Sequence, residues 1–227
     1  MNTLEESARA LQYALELIGV VAFAISGAMA GIRKNLDWFG VIVLGWVVAV
    51  GGGTLRDVVL GLPAWWLEQP WQMLLAAVTS MSVLVVARDR GEGIDSWRAV
   101  VLADAVGLAV FAALGTDTAL QAGTAAWAAV ALGVLTGTGG GVIRDVLVGR
   151  PPMVLTGQIY ALAALAGVSV QVVLVTAGAN AWWAIWSSVA VTASARILAI
   201  RLDWNLPIAT AAGGADGSGS DSAPAPD

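Results

Sequence analysis

GGGTLRDVVLGLP at residues 51–63 recurs as GGGVIRDVLVGRP at residues 139–151. In each copy, three consecutive glycines lie in an apolar run, and an Arg-Asp pair follows two residues later. Glycine is about 1 kcal/mol less favourable than alanine inside a helix, so three in a row predict a kinked or broken membrane helix. The predicted helix-breaking residues are Gly51, Gly52, Gly53, Gly139, Gly140 and Gly141.

A break of this kind has consequences at bilayer depth. Freed backbone groups are tolerated there only where protein or a water-filled cavity surrounds them, and charges inside a membrane mark functional sites. A short re-entrant loop with interfacial charges would explain a single copy of the stretch. The duplication argues against that alternative, and we predict that the two copies together form the functional site.

The composition indicates an integral membrane protein. The 227-residue chain is 58% hydrophobic and 12% charged, whereas soluble domains are roughly one quarter charged. It contains no cysteine and no histidine, which excludes disulfides and removes the commonest metal ligand. No nucleophile–base pair, phosphate-binding loop or metal-ligand cluster is recognisable. We therefore expect no enzymatic activity, no cofactor, no metal centre and no nucleic-acid partner.

A membrane-spanning helix needs about 20 mostly apolar residues. By that measure the sequence predicts an all-α integral membrane protein with seven transmembrane helices, at 11–31, 38–60, 70–87, 97–115, 122–148, 154–176 and 181–201. Residues 1–10 are predicted to form a lead-in to the first helix. Residues 204–227, rich in Gly, Ala, Ser, Asp and Pro, are predicted to be a disordered tail.

The duplication extends beyond the glycines at a constant offset of 88 residues, so that Glu16 aligns with Asp104 as residue 51 does with residue 139. Each copy holds three predicted spans, an odd number, so the second must enter the membrane from the opposite side. Inverted repeats of this kind are common among transporters, with the functional site at the repeat interface. The predicted units are two three-helix repeats at 11–90 and 97–178, and a seventh helix at 181–203.

Basic residues predict the orientation, because loops on the cytoplasmic side of a membrane are enriched in Lys and Arg. One side of the predicted membrane receives most of them: Arg33, Lys34, Arg88, Arg90, Arg98, Arg150 and Arg201. We therefore predict that the amino terminus lies outside and the carboxyl terminus lies in the cytoplasm.

Arg56-Asp57 and Arg144-Asp145 are the strongest candidate site residues. Sequence neighbours on a helix do not face each other, so an ion pair within each dipeptide is not expected. Each charge is predicted to find its partner on another helix or in the other repeat, and to lie along a central path. Alternatively, the four side chains hold the helices together by ion pairing and never meet a substrate.

Four further polar residues are candidates for the same path. Glu16 and Asp104 keep an acid in both repeats and are predicted to line a polar vestibule; the alternative is an acid at the end of a helix-packing face. Thr54 and Thr138 lie next to the glycine triplets and are predicted to offer hydroxyls to a pore. Threonines in membrane helices also bond back to their own backbone, which is the alternative for both.

The doubled Gly-Gly-Gly-x-x-Arg-Asp-x-x-x-Gly-x-Pro motif, the small-residue helix around 24–28 and the seventh terminal helix resemble the bacterial branch of the trimeric intracellular cation (TRIC) channel family. Related sequences are also described as glycine-transporter-like. The resemblance covers about residues 11–203. It implies a homotrimer in the bacterial inner membrane, in contact with membrane lipid, with one potassium-permeable pore per subunit. It also implies that the second and fifth helices, kinked at the triplets, line that pore.

Three functions follow as hypotheses. The first is a monovalent cation channel, in which the carboxylates favour cations while Arg56 and Arg144 obstruct or gate the path. The second is a secondary transporter of a small zwitterion such as glycine, because inverted repeats with broken helices are equally typical of transporters. The third is a membrane protein that conducts nothing and uses the arginines for folding alone.

Overall fold

The computed structural model describes residues 3–90, 96–156 and 159–204, and all regular structure within these ranges is helical. The predicted disordered tail lies outside the described residues, apart from Trp204. The helices are α1 (Thr3–Arg33), α2 (Trp38–Leu60), α3 (Trp65–Glu68), α4 (Trp71–Arg90), α5 (Ser96–Gln121), α6 (Ala126–Leu147), α7 (Ala161–Thr176) and α8 (Ala181–Arg201), with a 3₁₀ turn at Met153–Leu155.

Six of these helices are long and apolar enough to cross a membrane: α1, α2, α4, α5, α6 and α8. Residues 3–10, predicted as a lead-in, belong to α1 and continue directly into its apolar part. The predicted span at 154–176 begins too early, because the chain first forms the 3₁₀ turn and α7 starts only at Ala161. With 16 residues, α7 is about 24 Å long, against a hydrocarbon core of about 30 Å.

The glycine triplets do not interrupt their helices. Both α2 and α6 are continuous through the triplets, so the predicted break in helical structure is wrong, while a bend of the helix axis stays a prediction. The reason is packing between the two helices. A Cβ added at Gly52 would collide with the carbonyl oxygen of Thr136, and one added at Gly140 would collide with that of Val48. The absent side chains therefore let two helix backbones touch, which offsets the poor helix propensity of glycine.

The contacts between the halves are reciprocal at the 88-residue offset. Gly19 on α1 faces the ring of Phe111 on α5, while Gly107 faces the ring of Phe23. The two rings stack with their centroids 5.4 Å apart. Together with the Gly52–Gly140 crossing, these contacts join α1 to α5 and α2 to α6.

Candidate functional site

Each copy of the motif ends its helix in the same way. Gly61 and Gly149 adopt left-handed backbone conformations, with φ of 67° and 66°, which glycine accepts without strain. The residue after each glycine then donates its N–H to the carbonyl of the motif aspartate, Asp57 or Asp145, at 2.9 and 2.8 Å. This C-terminal cap turns the chain back over the end of the helix and places the aspartate in its last turn.

The two aspartates are held by the segment that follows the turn. Asp57 Oδ2 accepts a hydrogen bond from the backbone N–H of Trp65 at 2.9 Å. Asp145 Oδ2 accepts one from Met153 at 3.0 Å. In each repeat, one carboxylate oxygen therefore anchors the returning chain and the other faces the arginine.

The arginine and aspartate of each dipeptide form an ion pair with each other. Arg56 Nη2 lies 2.7 Å from Asp57 Oδ1, and Arg144 Nη2 lies 2.8 Å from Asp145 Oδ1. In both pairs Nε also donates to the same oxygen, at 2.9 Å. The prediction that sequence neighbours would not pair is wrong, because the long arginine side chain curls around the helix to reach the carboxylate.

The first cluster comprises Glu16, Arg56, Asp57 and the buried Gln72. Glu16, Arg56 and Asp57 line an open cavity of about 310 Å³. Gln72 Nε2 donates to Glu16 Oε2 at 3.3 Å, which connects α4 to α1. The exposed Glu68 joins the same wall. With all groups ionised, three carboxylates face one guanidinium, so the cavity is formally negative and favours cations.

The second cluster, comprising Ser26, Asp104, Arg144 and Asp145, is buried. Arg144 has no exposed surface, and neither has Asp104. Arg144 Nη1 lies 2.5 Å from Asp104 Oδ1 on α5 and 2.5 Å from Ser26 Oγ on α1. This confirms, for Arg144, the prediction of partners on other helices. It also shows that Asp104 is locked in an ion pair and does not line an open vestibule.

The second cluster also includes two residues that the sequence analysis did not single out, Tyr160 and Arg196. Tyr160 is buried with its hydroxyl beside Gly141 and Asp104. Arg196, on α8, places its guanidinium 5.0 Å from the centre of the Tyr160 ring and donates to the Ile159 carbonyl at 3.3 Å. Arg196 lies inside the predicted last span, so the rule that intramembrane charge marks function could have found it; Tyr160 carried no comparable signal.

The two clusters are built from equivalent positions with different side chains. At the 88-residue offset Glu16 corresponds to Asp104, and Gln72 corresponds to Tyr160. Ser26, which binds Arg144, corresponds to Leu114, which lines the first cavity. The stacked rings of Phe23 and Phe111 stand between the two halves, and Phe111 also closes the first cavity beside Trp65 at 6.0 Å between ring centroids.

The two threonines bond to their own helices, as the alternative for them predicted. Thr54 Oγ1 donates to the Val50 carbonyl and Thr138 Oγ1 to the Val134 carbonyl, both at 2.8 Å. Thr54 Oγ1 also accepts a hydrogen bond from the indole of Trp66 at 3.1 Å. Their hydroxyl protons are thus used within the protein.

Several apolar helices around two polar clusters define a multi-pass membrane protein. The fold matches solved structures closely. It superposes on the TRIC trimeric intracellular cation channel orthologue from Rhodobacter sphaeroides with a TM-score of 0.81 and 35% sequence identity, over 85% of this chain and 98% of that one. It matches a prokaryotic TRIC channel crystallised in 0.5 M KCl with a TM-score of 0.80 and 34% identity, over 87% of this chain and all of that one.

The sequence comparisons agree with the structural ones. The family model described as "Glycine transporter" matches the chain twice, at residues 13–88 and 101–176. The inner membrane protein YadS of Escherichia coli (UPF0126) is 46% identical over 69% of this chain and 75% of its own length. The chain therefore belongs to the family of the model described as "Glycine transporter". Its fold is that of the prokaryotic TRIC channels.

Proposed function

We propose that the protein is a potassium-permeable monovalent cation channel with one pore in each subunit of a homotrimer. The observation that carries the proposal is the cavity at the first cluster. Its wall holds the carboxylates of Glu16, Asp57 and Glu68 and the guanidinium of Arg56, so it is formally negative. The likeness to proteins described as cation channels supports it. Potassium is proposed as the permeant ion from the resemblance to the TRIC family; the solved neighbours are described as cation channels.

The path is proposed to run between α2 and α6. From the first cavity, an ion meets the aromatic layer of Phe23, Phe111 and Trp65 and then the second cluster. Both barriers are closed in the described conformation, since Phe111 and Arg144 are buried. Conduction therefore requires the aromatic side chains and the α2–α6 crossing to move.

The membrane arrangement is proposed to be inverted. The reciprocal contacts at the 88-residue offset and the double family match support two repeats of opposite orientation. In this arrangement α7, the counterpart of α4, also crosses the bilayer and makes seven crossings in total. The amino terminus is then outside and the carboxyl terminus cytoplasmic, with Arg33, Lys34 and Arg150 near the cytoplasmic surface.

The proposal is tested by recording purified protein in planar bilayers under a potassium chloride gradient. A channel gives discrete current steps that reverse near the potassium equilibrium potential. Equal currents for potassium and chloride would contradict a cation channel, and saturable uptake without steps would favour a carrier.

A carrier for a small zwitterion is the second candidate, because Arg56 and Glu16 line the same cavity. There the guanidinium can bind the carboxylate of a zwitterion and the Glu16 carboxylate can bind its ammonium group. It predicts that radiolabelled glycine accumulates in proteoliposomes and that Arg56→Gln abolishes the accumulation. Glycine flux that is absent while potassium current is present would exclude it. The third candidate, a protein that conducts nothing, is excluded if Arg56→Gln assembles normally but changes the current.

A further inference from the structure

A second cavity, of about 370 Å³, lies between α5 and α8, and Arg196 in its wall also contacts Tyr160 of the second cluster. Its lining residues are Trp97, Arg98, Val101, Leu102, Arg196, Ala199, Ile200, Asp203 and Trp204. Arg196 forms part of this wall although the residue is 1% exposed. Its guanidinium lies against the ring of Tyr160, whose hydroxyl is close to Asp104 near Gly141, and neither Tyr160 nor Asp104 lines the cavity.

The surroundings of the Arg196 guanidinium are those of a monovalent cation. It faces the aromatic ring of Tyr160 and donates a hydrogen bond to the carbonyl oxygen of Ile159. Its other Nη atom lies 3.7 Å from the sulfur of Met153, and the Asp104 carboxylate lies near the hydroxyl end of the same Tyr160 side chain, beside Gly141. Ring faces, carbonyl oxygens and carboxylates all attract cations. The arginine is therefore a tethered cation in a place suited to a free one.

The charge balance of the two clusters gives this arginine a specific consequence. Arg144 pairs with both Asp104 and Asp145. Counting the Arg196 guanidinium, which lies against Tyr160, the second cluster holds two carboxylates and two guanidiniums and is formally neutral. The first cluster has no equivalent of Arg196, because α8 lies outside both family matches. The arginine on α8 thus removes from one half of the protein the negative potential that the other half keeps.

We propose that Arg196 occupies a monovalent cation site next to Asp104, and that it closes this end of the path and lowers its attraction for cations. The proposal rests on the proposed cation-channel function. Replacing Arg196 by a neutral residue vacates the site, joins the second cavity to the second cluster and leaves that cluster formally negative.

The geometric part is tested by thiol accessibility, for which the cysteine-free chain is well suited. Ser26→Cys places a thiol beside Arg144, and a cationic methanethiosulfonate reagent reports its exposure in proteoliposomes. We expect slow labelling with Arg196 present and labelling about tenfold faster or more with Arg196→Gln, since a negative recess concentrates cations. Trp204→Cys, at an exposed position in the wall of the second cavity, should react in both backgrounds and serves as the control for reagent access.

The electrical part is tested in planar bilayers with Arg196→Gln, Arg196→Lys and the exposed α8 control Arg201→Gln. We expect Arg196→Gln to raise the current and change its rectification, while the other two variants behave as wild type. If the wild-type protein conducts but Arg196→Gln changes neither the labelling rate nor the current, the inference about Arg196 is wrong while the cation-channel function stands. If no variant conducts and Arg196→Gln is still labelled faster, the cation-channel function is wrong, while Arg196 still closes this end of the path.

A second neutral variant separates a loss of folding from a change in the site. Arg196→Met keeps the apolar stem and is the second neutral variant. If neither neutral variant assembles while Arg196→Lys does, the arginine has a structural role and the inference is wrong.

Discussion

The first and second clusters occupy equivalent positions in the two repeats, yet one is open and the other is sealed. Both contain an arginine paired with the following aspartate, and both aspartates anchor the returning chain through a backbone N–H. They differ in the third partner. Glu16 faces a cavity and bonds to Gln72, whereas Asp104 is paired with a fully buried Arg144.

The difference shows how a duplicated motif acquires two roles. The motif itself supplies the helix end, the ion pair and the anchor, and these are the same in both halves. The residues around it decide access: Leu114 lines an open cavity in the first half, while Ser26, Tyr160 and Arg196 fill the second. Function therefore depends on positions that the motif does not include.

The largest effect that would sharpen this comparison is expected from the two arginines. Arg144→Ala leaves Asp104 and Asp145 buried without their cation and should destabilise the protein by about 3–5 kcal/mol. Arg56→Ala should destabilise less, because its carboxylate partner lies at the edge of an open cavity that water can enter. Thermal unfolding and oligomer yield in detergent measure both. Equal losses for the two variants would contradict the difference in burial.

An intermediate effect is expected from the glycine crossing. Gly52→Ala and Gly140→Ala each push a methyl group against a backbone carbonyl of the opposite helix, and overpacking of this kind destabilises by about 1–3 kcal/mol. The two variants should be similar, because this contact is reciprocal. The control is Gly31→Ala, whose added Cβ would lie 3.3 Å from a side-chain methyl of Val41. Unfolding temperatures at or above wild type for both crossing variants would show that the helices are not held in contact there.

The smallest effect is expected from the threonines. Thr54→Val and Thr138→Val remove hydroxyls that bond within their own helix turn, so each should change stability by less than about 1 kcal/mol. Single-channel conductance should match wild type in both. A marked loss of conductance in either variant would restore a pore-lining role for that hydroxyl.

Much of the fold followed from composition and repetition. Six of the predicted spans correspond to long apolar helices, and the bounds 38–60 and 181–201 agree with α2 and α8. The break at the glycines was not predicted correctly because helix propensity is a local quantity, while the Gly52–Gly140 contact is made between helices far apart in sequence. The start of α7 was missed because the apolar run continues through the 3₁₀ turn, so hydropathy gives no boundary there.

The sequence singled out residues that the structure brings together, but not their pairing. Arg56, Asp57, Arg144 and Asp145 form ion pairs in the two clusters and Glu16 lines a cavity, while the role of these residues in a pore stays a prediction. The burial of Asp104 could not be predicted, because its sequence signal equals that of Glu16. Only the approach of α8 and Tyr160 distinguishes them, and that depends on tertiary packing.

Whether permeating cations pass the first cluster is decided by the single-channel conductance of Glu16→Gln. The matched control is Asp117→Asn, which neutralises a carboxylate on α5 that accepts a hydrogen bond from Gln121 and does not line the cavity. Recordings are made in planar bilayers at low and high potassium chloride. We expect a lower conductance for Glu16→Gln, most clearly at low salt because screening weakens surface potentials, with Asp117→Asn unchanged. Equal conductance of wild type and Glu16→Gln at low salt would show that permeating cations do not meet this carboxylate.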